Sequence, residues 1–207
     1  VQDPRVLLVH VTHFNDLMWD SGVTPTTVVE HGVAVPDDAQ YSGELPRGIV
    51  VVNNLVRRGR RLGADVFDRA RRAVPLDLVG MGSAAAGGLG EVAPPELPRF
   101  EARYRFFFNP IRYTSLGLAV CEAMAVGLPV VALATTEMVS VVDNGVTGWA
   151  STDPEVLIDH MRRLVQDRDE AADLGSAAKQ VAAARFGIER FARDWSAAFT
   201  AAIALAA

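Results

Sequence analysis

The stretch 109-NPIRYTSLGLAVCEAMAVGLPVVAL-133 reads as the end of a strand, a loop, a helix with a glycine in its first turn, a glycine stop and a second strand. Ser115 is a suitable N-cap for a helix that starts near Leu116, and Gly127 followed by Pro129 supplies the stop. In an open α/β sheet the loops at the carboxyl ends of parallel strands converge on a crevice. The free N–H groups of a helix N-terminus placed there favour an anion such as a diphosphate. Gly117, lacking a side chain, lets phosphate oxygens approach the N–H groups of Leu116, Gly117 and Leu118; the same glycine also suits plain packing of the helix on the sheet. Glu122 is the only charged residue in 116-LGLAVCEAMAV-126, and a carboxylate in such surroundings is costly unless it is hydrogen-bonded or paired. A ribose diol offers it two hydroxyl donors, each bond to a charged acceptor contributing about 1.5–3 kcal/mol. An ion pair with Arg112 or a solvated helix face are the structural alternatives.

Working outward, apolar β-rich runs recur at 5–11, 27–30, 49–53, 76–80, 105–109, 129–133 and near Gly148, with helical segments expected at 62–73, 116–126, 153–166, 169–184 and 187–205. Runs that are apolar at consecutive positions suit strands covered on both faces, so the alternation predicts a doubly wound, Rossmann-like α/β domain with a parallel sheet. The segment 82-GSAAAGGLGEVAPPELP-98 reads as a mobile rim loop and 143-DNGVTG-148 as a tight turn. A strand at 5–11, a helix at 12–22 and a turn at 23–26 look like the last unit of an earlier domain, so the chain is expected to be part of a longer protein.

Composition removes several classes of function. Half of the 207 residues are apolar, which suits a folded core, and the formal net charge of −5 argues against a broad nucleic-acid surface. Lys179 is the only lysine, and the pattern Gly-x4-Gly-Lys-Ser/Thr is absent, so a P-loop is excluded and any phosphate clamp must use arginine or backbone N–H. The locally basic tract 53-NNLVRRGRR-61 follows a strand and precedes a helix; Arg57 or Arg58 suits a bidentate phosphate contact, with Gly59 giving the turn, although exposed arginines are often simply solvated. The single Cys121 lies in an apolar helical run and reads as a small buried hydrophobe. His10, His13, His31 and His160 show no zinc-site spacing; His31-Gly32 ends a strand, and His31 and His13 are candidates to face the cleft, the default for each being a loop residue held by ordinary hydrogen bonds; no serine sits in a Gly-x-Ser-x-Gly elbow. No apolar stretch reaches membrane-spanning length and the start lacks a signal-like pattern, so a cytoplasmic location is the expectation.

The run 114-TSLGLAVCEAMAVGLPVVAL-133, then Glu137 and 143-DNGVTGW-149, resembles the donor-binding signature of the retaining glycosyltransferases of family four, which have the GT-B fold. Upstream, 28-VVEHGV-33, 53-NNLVRRG-59 and 76-LDLVGMG-82 resemble the family's strand-plus-glycine elements, and 173-DLGSAAKQVAAARFGIERFARDW-195 resembles its closing helices. In such enzymes two Rossmann-like domains face each other, and this chain resembles the C-terminal one. The resemblance implies a nucleotide-sugar-binding domain over 27–186, the end of an N-terminal domain or an interdomain segment over 1–26, and a final helix over 187–207 that packs back toward the N-terminal domain. It further implies that Glu122 binds the ribose hydroxyls and that the backbone of Ser115, Leu116, Gly117 and Leu118 holds the diphosphate. Arg58 stands where the family has its diphosphate lysine, with Arg57 and Gly59 beside it; Gly80 and Gly82 flank the base, and Glu137 falls near the sugar loop.

Two departures stand out. The family carries a pair of glutamates separated by seven residues, and Thr114 occupies the position of the first; an arginine of the diphosphate clamp is replaced by Asn53 or Asn54. Thr114 can hydrogen-bond a sugar but brings no charge, and Arg112 is a candidate substitute for the lost cation. The implied substrate is a nucleoside-diphosphate sugar, with no metal or other cofactor, and the acceptor is implied to bind through the absent N-terminal domain. The isolated chain is expected to bind donor without appreciable turnover. The alternatives are a catalytically inactive nucleotide-binding or regulatory module and, further off, a GT-B sugar-nucleotide epimerase.

Overall fold

The computed structural model describes residues 2–206. In chain order its first half contains β1 (Leu8–His10), α1 (His13–Met18), β2 (Thr26–Val28), β3 (Leu45–Val51), α2 (Leu55–Arg58), α3 (Ala64–Ala70), β4 (Leu76–Val79), α4 (Leu97–Glu101) and β5 (Tyr104–Asn109). The second half contains α5 (Leu118–Val126), β6 (Val130–Leu133), α6 (Met138–Val141), β7 (Gly148–Ser151), α7 (Pro154–Gln166), α8 (Arg168–Phe186) and α9 (Ile188–Ala206). Single 3₁₀ turns occupy Gly59–Leu62 and Ser83–Ala86.

Five strands form one parallel sheet in the order β4-β3-β5-β6-β7. Its central strands divide their side chains between two cores. Along β5, Phe106 and Phe108 enter one core and Phe107 the other, which Tyr104 at the strand's start also joins; along β6, Val130 and Ala132 alternate with Val131 and Leu133. That two-sided burial is why the sequence is apolar at successive positions. Each fully buried large side chain contributes about 1.5–3 kcal/mol relative to exposure. One core packs beneath α5 and α8 and contains Cys121, whose thiol burial pushes up to about 12. The other packs beneath α3 and α7.

The first two apolar runs do not join this sheet. β1 and β2 pair in parallel with each other as a separate two-stranded sheet, with α1 between them in sequence. The run at 27–30, expected in the larger domain, pairs instead with β1, because parallel pairing needs only a crossover segment and 11–25 supplies one locally. The two parts are joined by α9, whose Arg190 donates to the carbonyls of Glu30 and His31, and by a parallel bridge between Val33 and Gly187. Beside β2, a hollow of about 560 Å³ is lined by Leu7, residues 26–29 and the α9 face around Ala198. The 82–98 segment is less irregular than expected: it holds the 3₁₀ turn Ser83–Ala86 and the start of α4. No helix of the described residues is long and apolar enough to cross a membrane.

Candidate functional site

The chain runs from β3 outward to β4 and then returns across β3 to β5, so the loops after β3 and β5 diverge in opposite directions. Ligands of open α/β sheets bind at such a switch point. Here a cleft of about 230 Å³ opens between them, lined by residues 51–53, Arg58, Arg61, Leu62, Ile111, Tyr113 and Thr114.

The walls of the cleft are fixed by short-range bonds. The Asn53 side-chain oxygen accepts from the Met81 N–H at 2.8 Å, and the Asn54 N–H donates to the Met81 carbonyl at 2.6 Å. Asn54 takes up a left-handed conformation (φ 56°), which asparagine tolerates better than most residues. Gly80, at φ 127°, sits where a Cβ would lie 2.7 Å from the Val52 carbonyl oxygen, so the loops after β3 and β4 can approach only through a glycine. Both asparagines are thus used to tie 53–54 to 80–82. On the other wall, Arg112 donates to both carboxylate oxygens of Asp65 and to the Arg60 carbonyl, and the N–H groups of Arg112 and Tyr113 both donate to the Arg61 carbonyl at 3.2 Å. Arg112 is therefore committed to Asp65, whose carboxyl it holds below the usual carboxylate range, and it makes no pair with Glu122.

α5 begins at Leu118, two residues later than expected, and its N-cap is Gly117 (φ −85°, ψ 134°) with no side-chain cap. Ser115 is not the cap; its carbonyl instead accepts from the Thr136 hydroxyl at 3.1 Å and the Glu137 N–H at 3.3 Å. A Cβ built on Gly117 would meet no atom of the chain within 4 Å, and its φ is open to any residue. Neither packing nor backbone geometry demands a glycine there, and the space in front of the helix N-terminus is open.

Glu122, one turn further along α5, is half-buried and has no hydrogen-bond or ion-pair partner among the described residues; burial pushes its carboxyl above the usual range. Glu101, at the end of α4, is fully buried with both oxygens unpartnered, and burial, reinforced by repulsion from Glu122, raises its carboxyl well above the usual range. His31 lies half-buried beside the loop before α5: burial lowers its imidazole, and a hydrogen bond with the Leu116 backbone partly offsets this.

Glu137 is placed differently from an open sugar-loop ligand. It is 3% exposed, and its carboxylate accepts from the Phe14 N–H at 2.8 Å and the Ser140 hydroxyl at 2.7 Å and pairs with Arg185 at 3.2 Å. Arg185 in turn pairs with Glu30, so Glu137 links the β1–β2 part to the larger sheet. Of the residues singled out from sequence, Asn53, Arg58 and Thr114 share the cleft. Gly59 closes α2, and Arg57 is exposed in its last turn. Gly80 and Gly82 form the neighbouring wall, and Glu122 stands apart on α5. Three residues were missed. Arg61 and Tyr113 line the cleft with the guanidinium 5.9 Å from the ring centroid, and Thr136 holds a left-handed backbone (φ 52°) beside Ser115. Their signal lay only in three-dimensional proximity.

Residues 49–167, more than half of the chain, match the glycosyl transferases group 1 family, and the chain belongs to that family. No protein of curated function matches. The fold is that of GT-B glycosyltransferases of known structure. Sucrose-phosphate synthase from Thermosynechococcus elongatus superposes with a TM-score of 0.79 at 18% identity, covering 96% of this chain and 58% of that one. Anabaena HepE in complex with UDP-glucose gives a TM-score of 0.73 at 15% identity, covering 94% of this chain and 64% of that one. The pneumococcal O-GlcNAc transferase GtfA in complex with UDP and GlcNAc gives 0.74 at 10% identity, covering 95% of this chain and 45% of that one. The chain thus spans about half to two thirds of the length of these enzymes.

Proposed function

We propose that this chain is the donor-binding part of a retaining family-four glycosyltransferase, which moves a sugar from a nucleoside-diphosphate sugar to an acceptor held by a separate N-terminal domain. The observation that carries the reading is Glu122: a half-buried carboxylate without a partner, one turn from a helix N-terminus with open space at Gly117. A ribose diol satisfies that carboxylate, and the N–H groups around Gly117 and Leu118 take the diphosphate. Gly80 and Gly82 leave room for the base, and Ser115 and Leu116 shape the loop under the phosphates. Residues 1–26 are the end of the N-terminal domain or an interdomain segment, the final helix over 187–207 packs back toward that domain, and the location is cytoplasmic.

In this reading the bond between the anomeric carbon and the diphosphate oxygen breaks, the departing charge is met by helix-end N–H groups and by Arg58 with Arg57 nearby, and the acceptor hydroxyl attacks from the same face. Its proton passes to the departing phosphate oxygen. Thr114 offers a neutral hydrogen bond to the sugar in that cleft. Glu137 acts through position: its N–H and the Thr136 hydroxyl hold the Ser115 carbonyl and so set the loop that precedes α5. No metal enters the scheme, because the cations and amides above carry the neutralising role.

Calorimetric titration of the chain with UDP, GDP, ADP and their common sugar conjugates tests this reading. One nucleotide family is expected to bind, and Glu122→Ala is expected to weaken it about tenfold or more, the loss of one charged hydrogen bond. Failure of all of them to bind at millimolar concentration would refute the donor-site reading. Thr114 favours a second reading, a nucleotide-binding module without turnover. Donor-dependent transfer by the chain joined to its N-terminal domain, abolished by Glu122→Ala, would exclude it.

A further inference from the structure

We infer that Arg61 is a second diphosphate-binding cation that acts beside Arg58, an assignment that rests on the donor-site reading above and specifies how its phosphates are held. Arg58 is the N-cap of the 3₁₀ turn Gly59–Leu62. The backbone turns at Gly59 (φ 53°, ψ −134°), and Arg58 before it and Arg61 after it both line the cleft at the switch point. The residue between them, Arg60, turns away and pairs with Asp65 at 2.8 Å.

The cleft contains these two guanidinium groups and no carboxylate. Neither Arg58 nor Arg61 has an ion-pair partner among the described residues, whereas Arg60 and Arg112 are both held by Asp65. The loop after β3 adds no cation, since Asn53 and Asn54 are neutral; the Asn53 side chain and the Asn54 backbone N–H bond to Met81. Arg112, the substitute suggested by sequence, is committed to Asp65, whereas Arg61 lines the cleft without an ion pair among the described residues. Its side chain lies over the Tyr113 ring at 5.9 Å, a cation–π contact that keeps the head group at the mouth of the cleft. Two positive charges lining one cleft match the two phosphates of a nucleoside diphosphate, and each guanidinium offers a planar fork suited to phosphate oxygens. A nucleoside monophosphate would leave one of them unmatched.

The test compares diphosphate with monophosphate binding. UDP, GDP and ADP are titrated into the chain by calorimetry, each beside its monophosphate, and the measurement is repeated for Arg61→Ala, Arg61→Gln and the control Arg60→Gln. The ratio of diphosphate to monophosphate affinity is expected to fall about tenfold in both Arg61 variants and to stay within about twofold of wild type in Arg60→Gln. The Arg61 backbone carbonyl, which holds Arg112 and Tyr113, is unchanged by these substitutions, and an unaltered urea midpoint verifies the fold. If wild type binds a diphosphate and the ratio in both Arg61 variants stays within about twofold, this inference is wrong while the donor site stands. If Arg60→Gln lowers the ratio as much as Arg61→Ala, the effect is the general field of the tract and the assignment to Arg61 is also wrong. If wild type binds no diphosphate, the donor-site reading itself fails and this inference falls with it.

Discussion

Replacing Arg185 by methionine should destabilise the fold far more than removal of an ordinary surface arginine. The Arg185 guanidinium is 22% exposed and pairs with Glu30 (18% exposed) and Glu137 (3% exposed), while also donating to the Ser140 hydroxyl. Taking it away strands two carboxylates, one of them fully inside. Breaking a buried pair costs about 3–5 kcal/mol, and the partial exposure of Glu30 places this case near the lower end, at about 3 kcal/mol. With a urea slope of about 3 kcal/mol/M, suited to a chain of this length, the unfolding midpoint falls by about 1 M. Arg163→Met, which removes a pair with Glu170 from a 59% exposed side chain, should cost under about 1 kcal/mol. Adding Glu137→Gln to Arg185→Met removes one stranded charge and should recover about 1 kcal/mol or more. An Arg185→Met midpoint indistinguishable from that of Arg163→Met would show that the network does not join the two sheets energetically, and the reasoning would fail.

Other consequences can be measured on the same protein. Burial raises the Glu122 carboxyl in the folded chain, so the folded state keeps this proton to higher pH than the unfolded chain does. The resulting instability is absent in acid and grows as pH rises from the ordinary carboxylate range through the folded value, so Glu122→Gln should stabilise the unliganded chain in thermal melts at neutral pH and not in acid. Equal effects at both pH values would contradict the burial argument. Glu101→Leu removes a fully buried carboxyl with no partner and should gain about 1–3 kcal/mol in urea unfolding at neutral pH; a loss of stability would mean that Glu101 has a partner in solution. Gly117→Ala should leave the urea midpoint unchanged, since the site is open, yet weaken diphosphate binding about tenfold. Gly63→Ala should do the reverse damage, because its φ of 78° and a Cβ position 1.8 Å from the Pro110 carbonyl oxygen leave no room for a methyl group. Soluble, fully folded Gly63→Ala protein would count against the packing described.

The architecture was legible because its signals are local. The triple phenylalanine of β5 and the valine pair of β6 are apolar at consecutive positions, and only burial on two faces explains that. The helix expected over 153–166 is observed as α7 with Asp153 as its N-cap, the Asp153 side chain accepting from the Glu155 N–H. Two details were not local. Ser115 has the chemistry of an N-cap, but its carbonyl is held by Thr136 and Glu137, which displaces the helix start to Leu118. The run at 27–30 has the composition of a core strand, yet its neighbour is β1, a choice that depends on chain connectivity rather than composition. In the site, Glu122 and Gly117 could be singled out because each is anomalous in its own segment. Glu137 was named only by the resemblance, as falling near the sugar loop, and the fold reveals Phe14, Ser140 and Arg185 around it. Arg61 is one arginine of four in a five-residue tract, and only its place in the cleft wall and the Arg60–Asp65 pairing separate it from its neighbours.

The central claim is that a nucleoside diphosphate sits across the switch point, between the α5 N-terminus and the cleft beside β3. A crystal structure of the chain soaked with the nucleotide selected by calorimetry tests it most directly. The account predicts ribose hydroxyls within hydrogen-bond distance of the Glu122 carboxylate, phosphate oxygens facing the Gly117 and Leu118 N–H groups, and the Arg58 and Arg61 guanidinium groups turned toward the phosphates. A nucleotide bound elsewhere, with Glu122 still unpartnered, would contradict it.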